Sequence, residues 1–152
     1  MNSNNKNTGW IPEEFYKKIL KNIPIACVDL IITHGNYFLL GRRANEPAKD
    51  CWFFPGGRIK KGEKLINAAV RKTREEVGID VNISDVSLLS VGETIYDALG
   101  LHTINTLFVI KIKEKTKIKN HDNQHNKFKW FSKINNSWPL YVKKFLKKAG
   151  FK

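Results

Sequence analysis

Cysteine is scarce in this chain. Cys27 and Cys51 are the only two in 152 residues, too few for a disulfide framework, and their spacing suggests no metal knuckle. A reducing cytosol is the simplest home for such a sequence. No apolar run approaches the length that spans a bilayer, and the N-terminus M-N-S-N-N-K-N-T-G-W lacks the apolar centre of a signal peptide. The expectation is a soluble, cytoplasmic protein with no membrane partner. Acidic residues are also few, 14 against 27 Lys plus Arg, for a formal net charge of +13. That excess admits nucleic acid, an acidic membrane surface or a small polyanionic substrate as partner. Arginine occurs only at positions 42, 43, 58, 71 and 74, the lysines are scattered, and aromatic residues are not interleaved with them as a stacking platform. A dedicated nucleic-acid face is therefore disfavoured.

Internal repeats and low-complexity linkers are absent as well, which leaves an Asn-rich tail over residues 1–9, expected to be disordered, and a single domain over 10–152. From Ile11, the pattern P-E-E-F-Y-K-K-I-L-K predicts a short amphipathic helix with Phe15, Ile19 and Leu20 on one face. Residues 23–33, near-continuously apolar, predict a strand covered on both faces, and H-G-N turns it into a second strand over 37–40. Residues 41–50 read as an exposed polar loop and 52–55 as a brief strand. Residues 64–77 read as a helix burying Leu65, Ala68, Ala69, Thr73 and Val77, with Gly78 as its stop. Further strands are expected over 87–91, 107–112 and 127–131, with a loop over 96–102, irregular structure over 111–123 and a closing helix over 140–148. The order implies a mixed α/β domain with helices on both sides of a sheet.

The chemistry concentrates between Cys51 and Ile79. Helical spacing sets Arg71 one turn from Glu75 and Lys72 one turn from Glu76, while Glu63 precedes the helix. Alone, this reads as a solvated helix face with ion pairs. The preceding Pro55-Gly56-Gly57 changes the balance, because glycines let backbone groups approach a ligand, and oxygen-rich clusters suit hard cations such as Mg²⁺. Asp29 stands out because an acid within an apolar strand is costly unless partnered or functional. By their own context His125 reads as a surface-loop residue, and His102, His121 and Asp122 as surface.

Gly57, Glu63, Arg71, Glu75, Glu76, Gly78 and Ile79 together resemble the Nudix box, G-x5-E-x7-R-E-U-x-E-E-x-G-U, where U is a bulky aliphatic. Lys72 replaces the first Glu after Arg, and Thr73 replaces the aliphatic. A non-acidic residue followed by Thr resembles the GDP-mannose mannosyl hydrolase branch. That likeness extends to F-L-L-G-R-R-A-N-E-P-A-K-D-C-W-F-F-P-G-G-R and to the Gln124-His125 pair ahead of Trp130. The resemblance implies a Nudix fold, a mixed β-sheet sandwiched between helices. It implies Mg²⁺, or Mn²⁺, held by the Gly56 carbonyl, Glu76 and the Gln124 amide oxygen, with Glu75 and Glu63 as additional metal candidates. His125 is implied as general base, Arg43 and Arg58 as cations toward the diphosphate, and Asp29 as a group near the reacting sugar. The implied reaction is hydrolysis of GDP-mannose to GDP and mannose by water attack at the anomeric carbon with inversion. A Nudix pyrophosphatase attacking phosphorus through Glu63, Glu75 and Glu76 is the alternative. The branch also implies a homodimer, for which Trp10, Ile11 and Phe15 offer an apolar surface.

Overall fold

The computed structural model describes residues 11–115, 118 and 124–152; the tail expected over 1–9, Trp10, His121 and Asp122 lie outside them. Helix α1, Glu13–Asn22, places Glu13 and Glu14 in its first turn, where the helix dipole favours anions. Strands β1 (Ile25–His34) and β2 (Tyr37–Arg43) form the expected hairpin, with Thr33 opposite Phe38 and His34 opposite Tyr37. The short strands β3 (Trp52–Phe53) and β4 (Gly56–Arg58) precede helix α2, Leu65–Val77, which ends on Gly78 in the left-handed conformation at φ 72°. Strands β5 (Val86–Tyr96), β6 (Leu101–Lys111) and β7 (His125–Phe131) and helix α3 (Leu140–Lys148) complete the described order.

β1 is the hub of the sheet. Its first half pairs antiparallel with β4, its end pairs with β2, and its other edge pairs with β6 in parallel. β2 in turn pairs with β3 and β7. β1 carries apolar residues at successive positions because both of its faces are covered. Val28, Leu30 and Ile32 pack with Ala68, Ala69 and Val77 of α2, whereas Ile31 packs with Val142, Phe145 and Leu146 of α3. The same parity turns Asp29 toward α3.

Several expectations need correction. Gly41, Arg42 and Arg43 belong to β2 rather than to a polar loop, since β7 and β3 supply ladder partners for them. The Gly56-Gly57 bend is itself a strand, paired to β1. The loop expected over 96–102 is much shorter: β5 and β6 form one long hairpin closed by a single 3₁₀ turn over Asp97–Leu99. Leu65, expected on the buried face of α2, is 45% exposed, and Ile66 packs toward the core instead. Among the described residues no helix is long and apolar enough to cross a membrane.

Candidate active site

The β1–β4 pairing builds the site's floor. Asp29 lies opposite Gly56, and a β-carbon at Gly56 would collide with the Val28 carbonyl oxygen, so only glycine lets the two backbones approach this closely. Above this floor opens a cleft of about 630 Å³, to which Asp29, Arg43, Gly56, Arg58, Lys72 and Gln124 all contribute. These residues come from β1, β2, β4, α2 and the turn before β7, so the sheet gathers sites that are far apart in sequence. Helix α1 adds Tyr16, whose ring lies 4.8 Å from the Arg58 guanidinium carbon in a cation–π contact.

Along α2 the carboxylates are matched by cations. Arg71 donates from Nε and Nη2 to the two oxygens of Glu63, both at 2.7 Å, and from Nη1 to Glu75 at 2.8 Å. The Arg71 hydrogen bond is the main cause that holds the Glu63 carboxyl below the usual carboxylate range. Lys72 donates to Glu76 Oε1 at 2.7 Å and stands 3.4 Å from Glu75 Oε2. Glu76 is only 1% exposed.

The opposite flank behaves differently. Asp29, 8% exposed, accepts a 2.6 Å hydrogen bond from the Tyr141 hydroxyl of α3. Burial pushes its carboxyl up to about 6, against the opposing pull of Tyr141 and of Arg43. The Tyr141 phenol is itself raised, chiefly by burial and then by Asp29, so it remains a donor. Cys27 also faces the cleft, and burial pushes its thiol up to about 12, which leaves it protonated and chemically quiet.

At the third corner, Arg43 pairs in register with His125, and the Ala44 amide donates to the Gln124 carbonyl at 2.7 Å. Gln124 reaches the cleft wall. His125 is 3% exposed rather than sitting in a surface loop, with Nδ1 3.5 Å from Glu76 Oε2 and its ring against Phe128. A β-carbon at Gly41 would strike this ring, so the glycine makes room for the histidine.

A family model described as NUDIX domain matches residues 23–144. The chain belongs to the Nudix family. It is similar over nearly its whole length to the low-salt glycan biosynthesis protein Agl8 of Haloferax volcanii, at 35% identity over 151 residues, 95% of this chain and 94% of that protein. It is 37% identical over 90 residues to an ADP-ribose pyrophosphatase of Methanocaldococcus jannaschii, a match spanning 59% of this chain and about half, 52%, of that protein. Among solved structures, a MutT NUDIX hydrolase from Burkholderia pseudomallei superposes with a TM-score of 0.74 over 84% of this chain and 98% of that one, at 22% identity, a likeness of fold.

Nudix hydrolases generally use divalent metals such as Mg²⁺ or Mn²⁺. One carboxylate, a backbone carbonyl and a side-chain amide, from Glu76, Gly56 and Gln124, are hard oxygen donors that suit such an ion. Among the described residues, no three of His, Cys, Asp and Glu converge as a metal cluster. Glu63 and Glu75, the additional metal candidates, are both engaged by Arg71. Sequence reasoning on this Nudix domain missed Tyr141, 112 residues from the Asp29 it contacts, and Tyr16 and Tyr96, which also line the cleft. The i,i+4 spacing of Tyr141 and Phe145 in α3 is the one local signal that could have found Tyr141. His102, taken as surface, contributes to the cleft wall and lies 3.6 Å from Glu93.

Proposed function

We propose that this Nudix domain hydrolyses a nucleoside-diphosphate sugar, GDP-mannose or a close relative, to the nucleoside diphosphate and free sugar by attack of water at the anomeric carbon with inversion. The observation that carries this reading is the polarity of one cleft. Arg43, Arg58 and Lys72 supply cations to it, and Asp29, a buried carboxyl at about 6, faces the same space. The cations suit a diphosphate, and a leaving diphosphate whose charge is neutralised needs no general acid. Gly56, Glu76 and Gln124 would hold Mg²⁺, which when bound supplies further neutralisation of the departing diphosphate. The near full-length likeness to a protein named for glycan biosynthesis supports a sugar-bearing substrate.

Water must then lose a proton on the far side of the sugar carbon. His125 is the base that the resemblance implies, and Glu76, 3.5 Å from Nδ1, would orient its ring. With 3% exposure, His125 meets that water only if the bound substrate opens a path to it. Asp29 already faces the cleft and would bind the sugar beside the reacting carbon. Hydrolysis in ¹⁸O-water should place label on the sugar and leave the nucleoside diphosphate unlabelled. His125→Gln should lower turnover about 10²–10³-fold without changing the products. Label on phosphate, with sugar phosphate and nucleoside monophosphate as products, would refute the proposal.

Pyrophosphatase action at phosphorus is the second reading, favoured by the likeness to a protein named ADP-ribose pyrophosphatase. Arg71, which engages Glu63 and Glu75, the two further glutamates that this reading needs, weighs against it. A homodimer is also proposed. Phe15, Leu88, Val91 and Ile95, 55–65% exposed, are apolar side chains that a second copy would cover.

A further inference from the structure

Lys72 is not an ordinary surface partner of Glu76. Helical i,i+4 pairs usually lie in water, where they contribute little. Here the Lys72 side chain is 12% exposed and that of Glu76 2% exposed. The lysine lies along the glycine bend: a β-carbon at Gly57 would stand 2.5 Å from its Cε and 3.1 Å from its Nζ. The ammonium therefore sits between the carboxylate of Glu76 and the space beside Gly57, and it contributes to the cleft wall with Arg43 and Arg58.

We infer that the Lys72 ammonium is a tethered cation standing in the place between Glu76 and the glycine bend that a divalent metal would occupy, so that a metal binds there only by displacing it. The carboxylate is already neutralised at 2.7 Å by a charge that the chain cannot lose to solvent. A second, doubly charged ion on the same oxygens would face the ammonium at close range in a site largely shut off from water, where like charges repel strongly. Lysine suits this duty because its four-carbon stem lets it swing away, whereas a fixed neutral residue would leave Glu76 open to metal. In the substrate-free protein, Lys72 thus sets a low affinity for divalent ions. It also presents a positive charge to an incoming diphosphate before any metal arrives.

The inference rests on the proposed place of Glu76 at the cation site and not on the identity of the sugar. Mn²⁺ binding to the metal-free protein, followed by electron paramagnetic resonance, tests it for the wild type, Lys72→Met and Lys72→Glu. Both substitutions should tighten Mn²⁺ about tenfold or more, and Mg²⁺ should then raise the melting temperature of Lys72→Glu but not of the wild type. Equal Mn²⁺ affinity in all three, within about twofold, would overturn it. Should the variants fail to fold, the Lys72 Nζ resonance of the wild type decides. It should stay in place until Mg²⁺ approaches about 1 mM, and movement at about 10 µM would overturn the inference. Products from a panel of nucleotide sugars report separately on the reaction, so either conclusion can fail without the other.

Discussion

The two flanks of the cleft solve the problem of buried acid in opposite ways. On the α2 flank, Glu63, Glu75 and Glu76 are paired with Arg71 and Lys72, the last two glutamates one helical turn from their partners. On the β1 flank, the partner at hydrogen-bond distance of Asp29 among the described residues is a neutral hydroxyl, with Arg43 acting through space, and burial raises its carboxyl to about 6. The first arrangement offsets the cost of burying Glu76 by setting an opposite charge beside it. The second keeps one acid in a costly state, which structures tolerate mainly where function demands it.

The sharpest way to break this contrast is Asp29→Asn, which retains an oxygen for the Tyr141 hydroxyl. Raised from 3.8 to about 6, the carboxyl holds a proton in the folded chain that the unfolded chain has already lost. Asp29 therefore subtracts stability progressively as pH rises through that window, reaching on the order of 3 kcal/mol at neutral pH. The variant should be more stable than wild type by up to about that amount at pH 7 and no more stable near pH 4. Its turnover should fall about 10²-fold or more if Asp29 meets the substrate. Urea unfolding at the two pH values, on metal-free protein, is the measurement; a variant less stable at pH 7 would mean that Arg43 and Tyr141 outweigh burial.

On the other flank, Arg71→Met should act in the opposite direction. It removes both hydrogen bonds to Glu63 and the one to Glu75, so a loss of about 2 kcal/mol at pH 7 is expected. The sign with pH is also reversed. Glu63 is held below the usual carboxylate range, so the stability it contributes is complete above its unfolded value and lost as pH falls through its folded one. The penalty of the substitution should therefore shrink in acid, by thermal unfolding between pH 7 and pH 3. A penalty unchanged with pH would assign the arginine's contribution to packing of its stem.

How much of each flank was legible in sequence follows from its chemistry. The α2 flank uses i,i+4 spacing and a glycine bend, both local, so Arg71 with Glu75 and Lys72 with Glu76 stand visible in the string itself. β1 was legible because residues buried on both faces form a continuous apolar run. β4 was not, because two glycines carry no strand pattern, and their pairing is decided by the Val28 and Asp29 backbone opposite. The neighbours of Asp29 were hidden for the same reason. A costly acid advertises itself, but its partner arrives from a helix 112 residues later, placed there by the alternation of β1 faces. His125 misled in the other direction. Polar neighbours suggested a surface loop, and only the register that sets it opposite Arg43 reveals the burial.

Tyr141→Phe makes the smallest expected change and sharpens the comparison most finely. The hydroxyl is the larger of two influences that lower the Asp29 carboxyl against burial. Its removal should leave the fold intact, cost about 1 kcal/mol at pH 7, where the carboxylate loses a donor, and cost less near pH 4, where Asp29 is protonated in both proteins. The Asp29 carboxyl should consequently move upward from about 6, so a pH–rate profile that depends on its ionised form should shift its acid limb to higher pH. An acid limb that stays fixed while stability falls would separate the two roles. Tyr141 would then secure α3 to the sheet, and the group titrating in the profile would lie elsewhere.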